Sequence, residues 1–210
     1  MKDFLSALSG VIFWSGNIPY ILAILRDRKL PPGTPGKTEP SKASWIIWVL
    51  LDASIWAGMH LKHAWSGQIV GATCGSLIVM LLALKYGAPG WTRADKICLA
   101  IAGISLPLGL IDPTITIVMN SAVGFVGGIP TFISMWKDPR KESRTAWALY
   151  AVSCIPAIFA VKNWTLVDAT QPVSYAAGEA LVVYLLFIRP LFKSAPLASP
   201  TCDGIAAVKS

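Results

Sequence analysis

Charge is scarce in this chain, and acidic charge scarcest: 18 Lys and Arg and 11 Asp and Glu make up 14% of 210 residues. A soluble domain carries about 25% charged residues, so an ordinary soluble enzyme is a poor fit. Cysteine is limited to four residues and histidine to two. Cys74, Cys98 and Cys154 sit inside apolar runs and Cys202 lies near the C-terminus, which leaves no disulfide framework and no CxxC metal pair. They read as small apolar fillers. His60 and His63 have no metal-ligating company and read as solvated interfacial residues. Nucleophile-elbow and phosphate-cradling glycine motifs are missing too, so neither an enzyme nor a cofactor is indicated. The net charge of +7 does not point to nucleic acid, because the basic residues stand in short loops between apolar runs.

Those runs are what the chain does have: 54% of its residues are hydrophobic. Seven runs, at about 4–25, 43–61, 68–86, 96–111, 113–136, 145–161 and 172–192, mostly approach the roughly 20 residues that cross a bilayer as a helix. The first is too long for a signal peptide and contains Asn17 and Pro19. The expected fold class is an all-α membrane protein with seven transmembrane helices. An odd count places the termini on opposite sides. One side then collects nearly all the basic residues, and the other only Lys2, Lys62 and Lys162. The positive-inside rule puts the N-terminus outside and the C-terminus in the cytoplasm, which suits a plasma (inner) membrane. The loop 27–42, rich in Pro and Gly, reads as flexible or turn-like.

An internal repeat organises the runs. Gly16-Asn17-Ile18-Pro19-Tyr20 matches Gly127-Gly128-Ile129-Pro130-Thr131, and each stretch ends on a basic-acidic pair, Arg26-Asp27 or Lys137-Asp138. Ser41-Lys42-Ala43-Ser44-Trp45 matches Ser143-Arg144-Thr145-Ala146-Trp147. Gln68 then matches Gln171, and Gly75 matches Gly178. Three matches in one order imply a three-helix unit at 1–88, a linker span at 89–112, a second three-helix unit at 113–193 and a disordered cytoplasmic tail at 194–210. The linker span makes the two units parallel rather than inverted.

On these residues the chain resembles the SWEET and PQ-loop superfamily, over residues of about 4–192. The resemblance implies a three-plus-one-plus-three helix plan and a transporter. Tyr20 and Thr131 stand where family members carry the Gln of a Pro-Gln pair. Ala72 and Tyr175 stand where sugar-carrying members place an Asn. Of the family's inner prolines, Pro19, Pro130 and Pro156 are present, and Ser54 stands opposite Pro156. The family's substrate-facing Trp in the second helix has its counterpart in Trp56.

Candidate site residues follow from the cost of polarity in a membrane. A carboxylate at the bilayer centre costs at least ~2.5 kcal/mol, so one found there suggests function. At 1.5 Å per residue, Asp52 lies roughly 14 Å from the inner end of its run, and Glu179 roughly 10 Å from the outer end of its own. One comes from each unit, so both can face a shared cavity as a substrate or proton site. A protonated carboxyl making a packing hydrogen bond is the plainer alternative. Trp48 and Trp56 flank Asp52 at four-residue spacing. Their faces suit sugars, rings or cations, or else lipid. Asn17 and Asn120 serve as pore-lining groups or interhelical glue. Pro19, Pro130 and Pro156 are candidate hinges or static kinks. Trp45 and Trp147, at helix starts, read as interface anchors.

The expected function is movement of a small polar solute, sugar-like or amino-acid-like, by alternating access, as uniport or with proton coupling. A receptor or cargo-binding protein on the same scaffold, or a vitamin-precursor transporter, would share these features. A purely structural membrane protein would leave two buried carboxylates without a reason. Partners are the bilayer and a small-molecule substrate, with a homo-oligomer left open.

Overall fold

The computed structural model describes residues 1–108 and 111–193. The tail 194–210 and the last turn of the fourth apolar run lie outside the described residues. Seven helices cover most of the rest: α1 (Lys2–Asp27), α2 (Lys42–Leu61), α3 (Gly67–Tyr86), α4 (Arg93–Leu108), α5 (Pro113–Lys137), α6 (Arg144–Ala160) and α7. Helix α7 runs Leu166–Val183, continues through a π-helical stretch, Tyr184–Ile188, and ends as Arg189–Lys193. No strand occurs among the described residues. Helices α1, α2, α3, α5 and α7 are long and apolar enough to cross a membrane, while α6 is an apolar helix of 17 residues and α4 has 16.

Local chemistry sets the helix starts. The Ser41 and Ser143 hydroxyls accept hydrogen bonds from the amides of Ser44 and Ala146, capping α2 and α6 at matched places. Ser66, Asp112 and Thr165 cap α3, α5 and α7 in the same way, and Pro113 occupies the tolerant first turn of α5. The Thr165 cap moves the seventh helix start to Leu166, well before the expected 172. Pro172 therefore lies inside the helix. Glu179 is then about 20 Å from the N-terminal end of its helix rather than 10 Å, close to the helix midpoint.

The connections sort to two ends. At one, Lys2 Nζ donates to the Val161 carbonyl at 2.8 Å, the Gly67 amide donates to Ser6 Oγ at 2.7 Å, and Lys62 faces Asp112 at 3.5 Å. At the other, the Ala88 amide donates to the Pro40 carbonyl at 3.1 Å, and Arg189 donates to the Trp136 carbonyl at 2.7 Å. At this second end the loop 27–42, read from sequence as flexible or turn-like, runs through turns and is held in place. Lys37, Thr38, Glu39 and Ser41 are buried. Asp27 Oδ2 accepts from the Thr38 amide at 3.0 Å, and Glu39 pairs with Lys37 at 3.3 Å and with Lys141 at 3.0 Å. The Glu39 carboxyl sits below its ordinary value: burial acts upward, and the Gly33 amide and the two ammonium groups outweigh it.

Helix α1 packs on α3 and α6, α2 on α3 and α5, α7 on α5 and α6, and α4 on α5 and α2. Two glycines of the repeat permit close packing between helices. A Cβ on Gly16 would collide with the Tyr150 ring of α6, and one on Gly127 with the Ile47 side chain of α2. The outward faces carry large apolar side chains such as Phe159 and Leu191, 68% and 73% exposed. The interior holds Asn17, Asp52, Gln68, Asn120, Gln171 and Glu179. That distribution suits a lipid surround, since soluble proteins do not expose apolar area so continuously.

Candidate functional site

A central cavity of about 90 Å³ lies between six helices; among the described residues α4 contributes nothing to its wall. By water-sized volumes this is room for roughly six to nine waters or one small solute. Of the residues singled out from sequence, Asp52, Glu179, Trp48, Asn120 and Tyr175 line it.

Helix α7 presents Tyr175 and Glu179 four residues apart on one face. The Tyr175 hydroxyl reaches across to α2 and donates to Asp52 Oδ1 at 2.6 Å. Glu179 Oε2 is buried with no hydrogen-bond partner among the described residues. Asn120 Oδ1 and Ser121 Oγ, both on cavity-lining residues, share that condition. The amide of Asn120 does donate to Ser54 Oγ at 2.9 Å, tying α5 to α2. Buried polar groups are normally satisfied, so three such atoms on the residues of one cavity mark a place suited to a polar occupant.

Aromatic rings form the rest of the wall. Phe13 stacks on Tyr150 at 4.5 Å and on Tyr175 at 5.9 Å. Trp48 meets Trp45 edge-on at 5.3 Å and Trp147 at 6.0 Å, and its Nε1 donates to the Gly124 carbonyl at 3.1 Å. Asn17 stands behind the wall, where its Oδ1 accepts from the Tyr150 hydroxyl at 2.8 Å.

Three placements differ from expectation. Trp56 is not on the cavity wall; it is 38% exposed. Ile55 lines the cavity at that level instead, and one residue of helix rotates the next side chain about 100° away. Trp45 and Trp147 are not interface anchors: both are buried and line the cavity, because both rings pack on Tyr20 of α1 and Trp147 also meets Trp48 of α2. Pro19, Pro130 and Pro156 each lie inside an unbroken helix. Sequence reasoning did not single out Phe13 or Tyr150. Tyr150 was findable, since the Trp45–Trp147 match sets it opposite Trp48.

A polar cluster stands toward each end of the cavity. On the basic-loop side the Tyr20 hydroxyl donates to Glu142 Oε2, and Trp147 Nε1 donates to the same oxygen at 3.0 Å. Glu142 lies in the connection before α6 and is buried. Burial pushes its carboxyl from 4.5 up to about 7, although the two donors pull downward. On the opposite side Gln171 Nε2 donates to Gln68 Oε1 at 3.0 Å, Ser66 Oγ donates to Gln171 Oε1 at 2.7 Å, and Gln68 Nε2 donates to Ser153 Oγ at 3.0 Å. Beyond this cluster an outer vestibule of about 300 Å³ opens, with Gln68 in its floor.

No family model, curated protein or solved structure matches this chain.

Proposed function

We propose that this chain is a membrane carrier of a small polar solute, working by alternating access around the central cavity. The observation that carries this reading is the cavity itself. It is lined by six helices, walled by aromatic rings, holds Asp52 and Glu179, and has a separate polar cluster toward each end that could close it. A binding protein needs one closure, whereas a carrier needs two that open in turn.

The helix packing supports a three-plus-one-plus-three plan of the SWEET and PQ-loop kind. Exchanging α1, α2 and α3 with α5, α6 and α7 maps each major contact onto another. The α1–α6 crossing becomes α5–α2, and α1–α3 becomes α5–α7. Two units related in this way can rock about a fixed central site. Pro19 and Pro130, at matched positions in α1 and α5, would serve as the flexible points. The distribution of basic residues favours a cytoplasmic location for the end that carries Glu142.

Flux measured in proteoliposomes tests the proposal. Uptake of a solute that also stabilises the purified protein supports a carrier. Stabilisation with no uptake turns the reading toward a receptor on the same scaffold.

A further inference from the structure

The chemistry of the cavity wall narrows the solute class. No Lys, Arg or His lines the cavity among the described residues, while two carboxyl groups do. The nearest helix N-termini, the other common source of positive potential, are those of α2 and α6; their first turns reach the wall through the rings of Trp45 and Trp147, and the Ser41 and Ser143 hydroxyls cap their amides. Nothing in the wall would neutralise a carboxylate or phosphate. A solute bearing one would meet Asp52 and Glu179 as like charges.

The acceptors point the same way. Glu179 Oε2 and Asn120 Oδ1 are buried acceptors without donors, on residues that are 9% and 0% exposed. Around them stand the rings of Phe13, Trp48, Tyr150 and Tyr175. Ring faces attract cations through their quadrupole, most strongly where water is excluded. Carboxylates, a free amide oxygen and aromatic rings around one pocket form a cage for a positive group.

We infer that the cavity is a binding site for a small organic cation, of the alkylammonium or guanidinium class and without a carboxylate of its own, which is taken up in exchange for a proton. This rests on the carrier reading above and names its substrate class. The charge balance is simple. A buried carboxyl group is stable either as the neutral acid or against a cation. When the cation binds, the Glu179 O–H bond breaks, the electron pair stays on the carboxylate, and the proton leaves to water. When the cation departs, one proton returns. The net charge of the occupied and the empty site is the same, so neither form carries an uncompensated charge through the closed state.

Tetramethylammonium and guanidinium keep their charge at neutral pH and serve as probes, with glucose and alanine as neutral and zwitterionic comparators. Two readouts apply to the full chain in proteoliposomes. One is quenching of the tryptophan fluorescence by bound solute, and the other is flux together with proton counterflow reported by an internal pH dye. The expected result is quenching and flux with the two cations only, with outward proton movement as they enter. Glu179→Gln should cut cation flux at least about ten-fold, whereas Trp56→Leu, off the cavity wall, should leave it unchanged. The wild-type panel alone decides selectivity, so a variant that fails to fold does not spoil the test. Cations that quench without moving uphold the site and sink the carrier reading. Glucose or alanine moving while the cations neither bind nor move keeps the carrier and overturns the cation site. Silence from all four probes overturns both.

Discussion

Gln171 and Gln68, residues that the internal repeat sets opposite each other, meet directly: the side-chain amide of Gln171 donates to the Gln68 oxygen at 3.0 Å. Equivalent residues touch when they lie on the axis relating two units. The same holds at the other end, where Glu39 and Lys141, matched through the Ser41 and Ser143 caps, form an ion pair at 3.0 Å.

The glutamine pair holds more than itself, since Ser66 and Ser153 also bond to it. Gln68→Leu leaves buried partners unsatisfied and should destabilise the protein by about 1–3 kcal/mol. Gln171→Leu should cost a similar amount. The double variant should cost clearly less than the two losses added, because both remove one network. Thermal unfolding of the three detergent-solubilised variants checks this. Additive losses would show that the two glutamines act independently.

Glu142 makes the closure on the basic-loop side sensitive to pH. Its carboxyl is raised to about 7 in the closed state by burial, and an open state would return it to water and to its ordinary 4.5. The closed state thus binds the proton more tightly. Its advantage is full below pH 4.5 and declines as pH rises toward 7, by about 3 kcal/mol in all. Accessibility of the cysteine in Ser76→Cys, on the cavity wall and outside this cluster, should increase with pH over that window. In Glu142→Gln the same measurement should be flat.

Tyr175 ties the two carboxyl-bearing helices together through its 2.6 Å hydrogen bond to Asp52. Tyr175→Phe removes the donor and keeps the ring stacked on Phe13. It should lower stability by about 1 kcal/mol and shift the pH profile of transport, while Asp52→Asn and Glu179→Gln should each weaken the pH response and leave the part that Glu142 supplies. A full pH response in both carboxyl variants would separate these groups from proton movement.

The two repeat glycines should be intolerant of side chains. Gly16→Val meets the Tyr150 ring and the Ala146 carbonyl, and Gly127→Val meets Ile47. Each should cost about 1–3 kcal/mol through overpacking, seen as a lower unfolding temperature. Gly103, where an added Cβ meets nothing within 4 Å, should accept alanine with little change.

Much of the helical plan was legible because membrane spans announce themselves in one dimension. Run length and capping serines act locally, and α2, α3 and α5 fall within a residue of the boundaries read from sequence. The start of α7 was not legible, because Pro172 looks like a helix start unless the Thr165 cap is weighed against it. Asp52, Glu179, Trp48, Asn120 and Tyr175 could be singled out by the cost of polarity at mid-membrane or by repeat position. Trp56 misled because i and i+4 positions diverge by about 40°, enough to turn one of two flanking tryptophans off the wall. The burial of Trp45 and Trp147 was hidden for a different reason: both rings pack on Tyr20 of α1, and Trp147 also on Trp48 of α2, partners distant in sequence.

By itself the sequence determined that this chain is helical and carries apolar runs of membrane-crossing length, since those properties follow from composition and spacing along the chain. Only the tertiary structure decided which polar atoms go unpartnered, that Tyr175 reaches Asp52, and that Glu142 sits beneath Tyr20 and Trp147. Satisfaction of a hydrogen bond depends on which helix faces which, and that is fixed by close packing at positions such as Gly16 and Gly127 rather than by any residue's own preference.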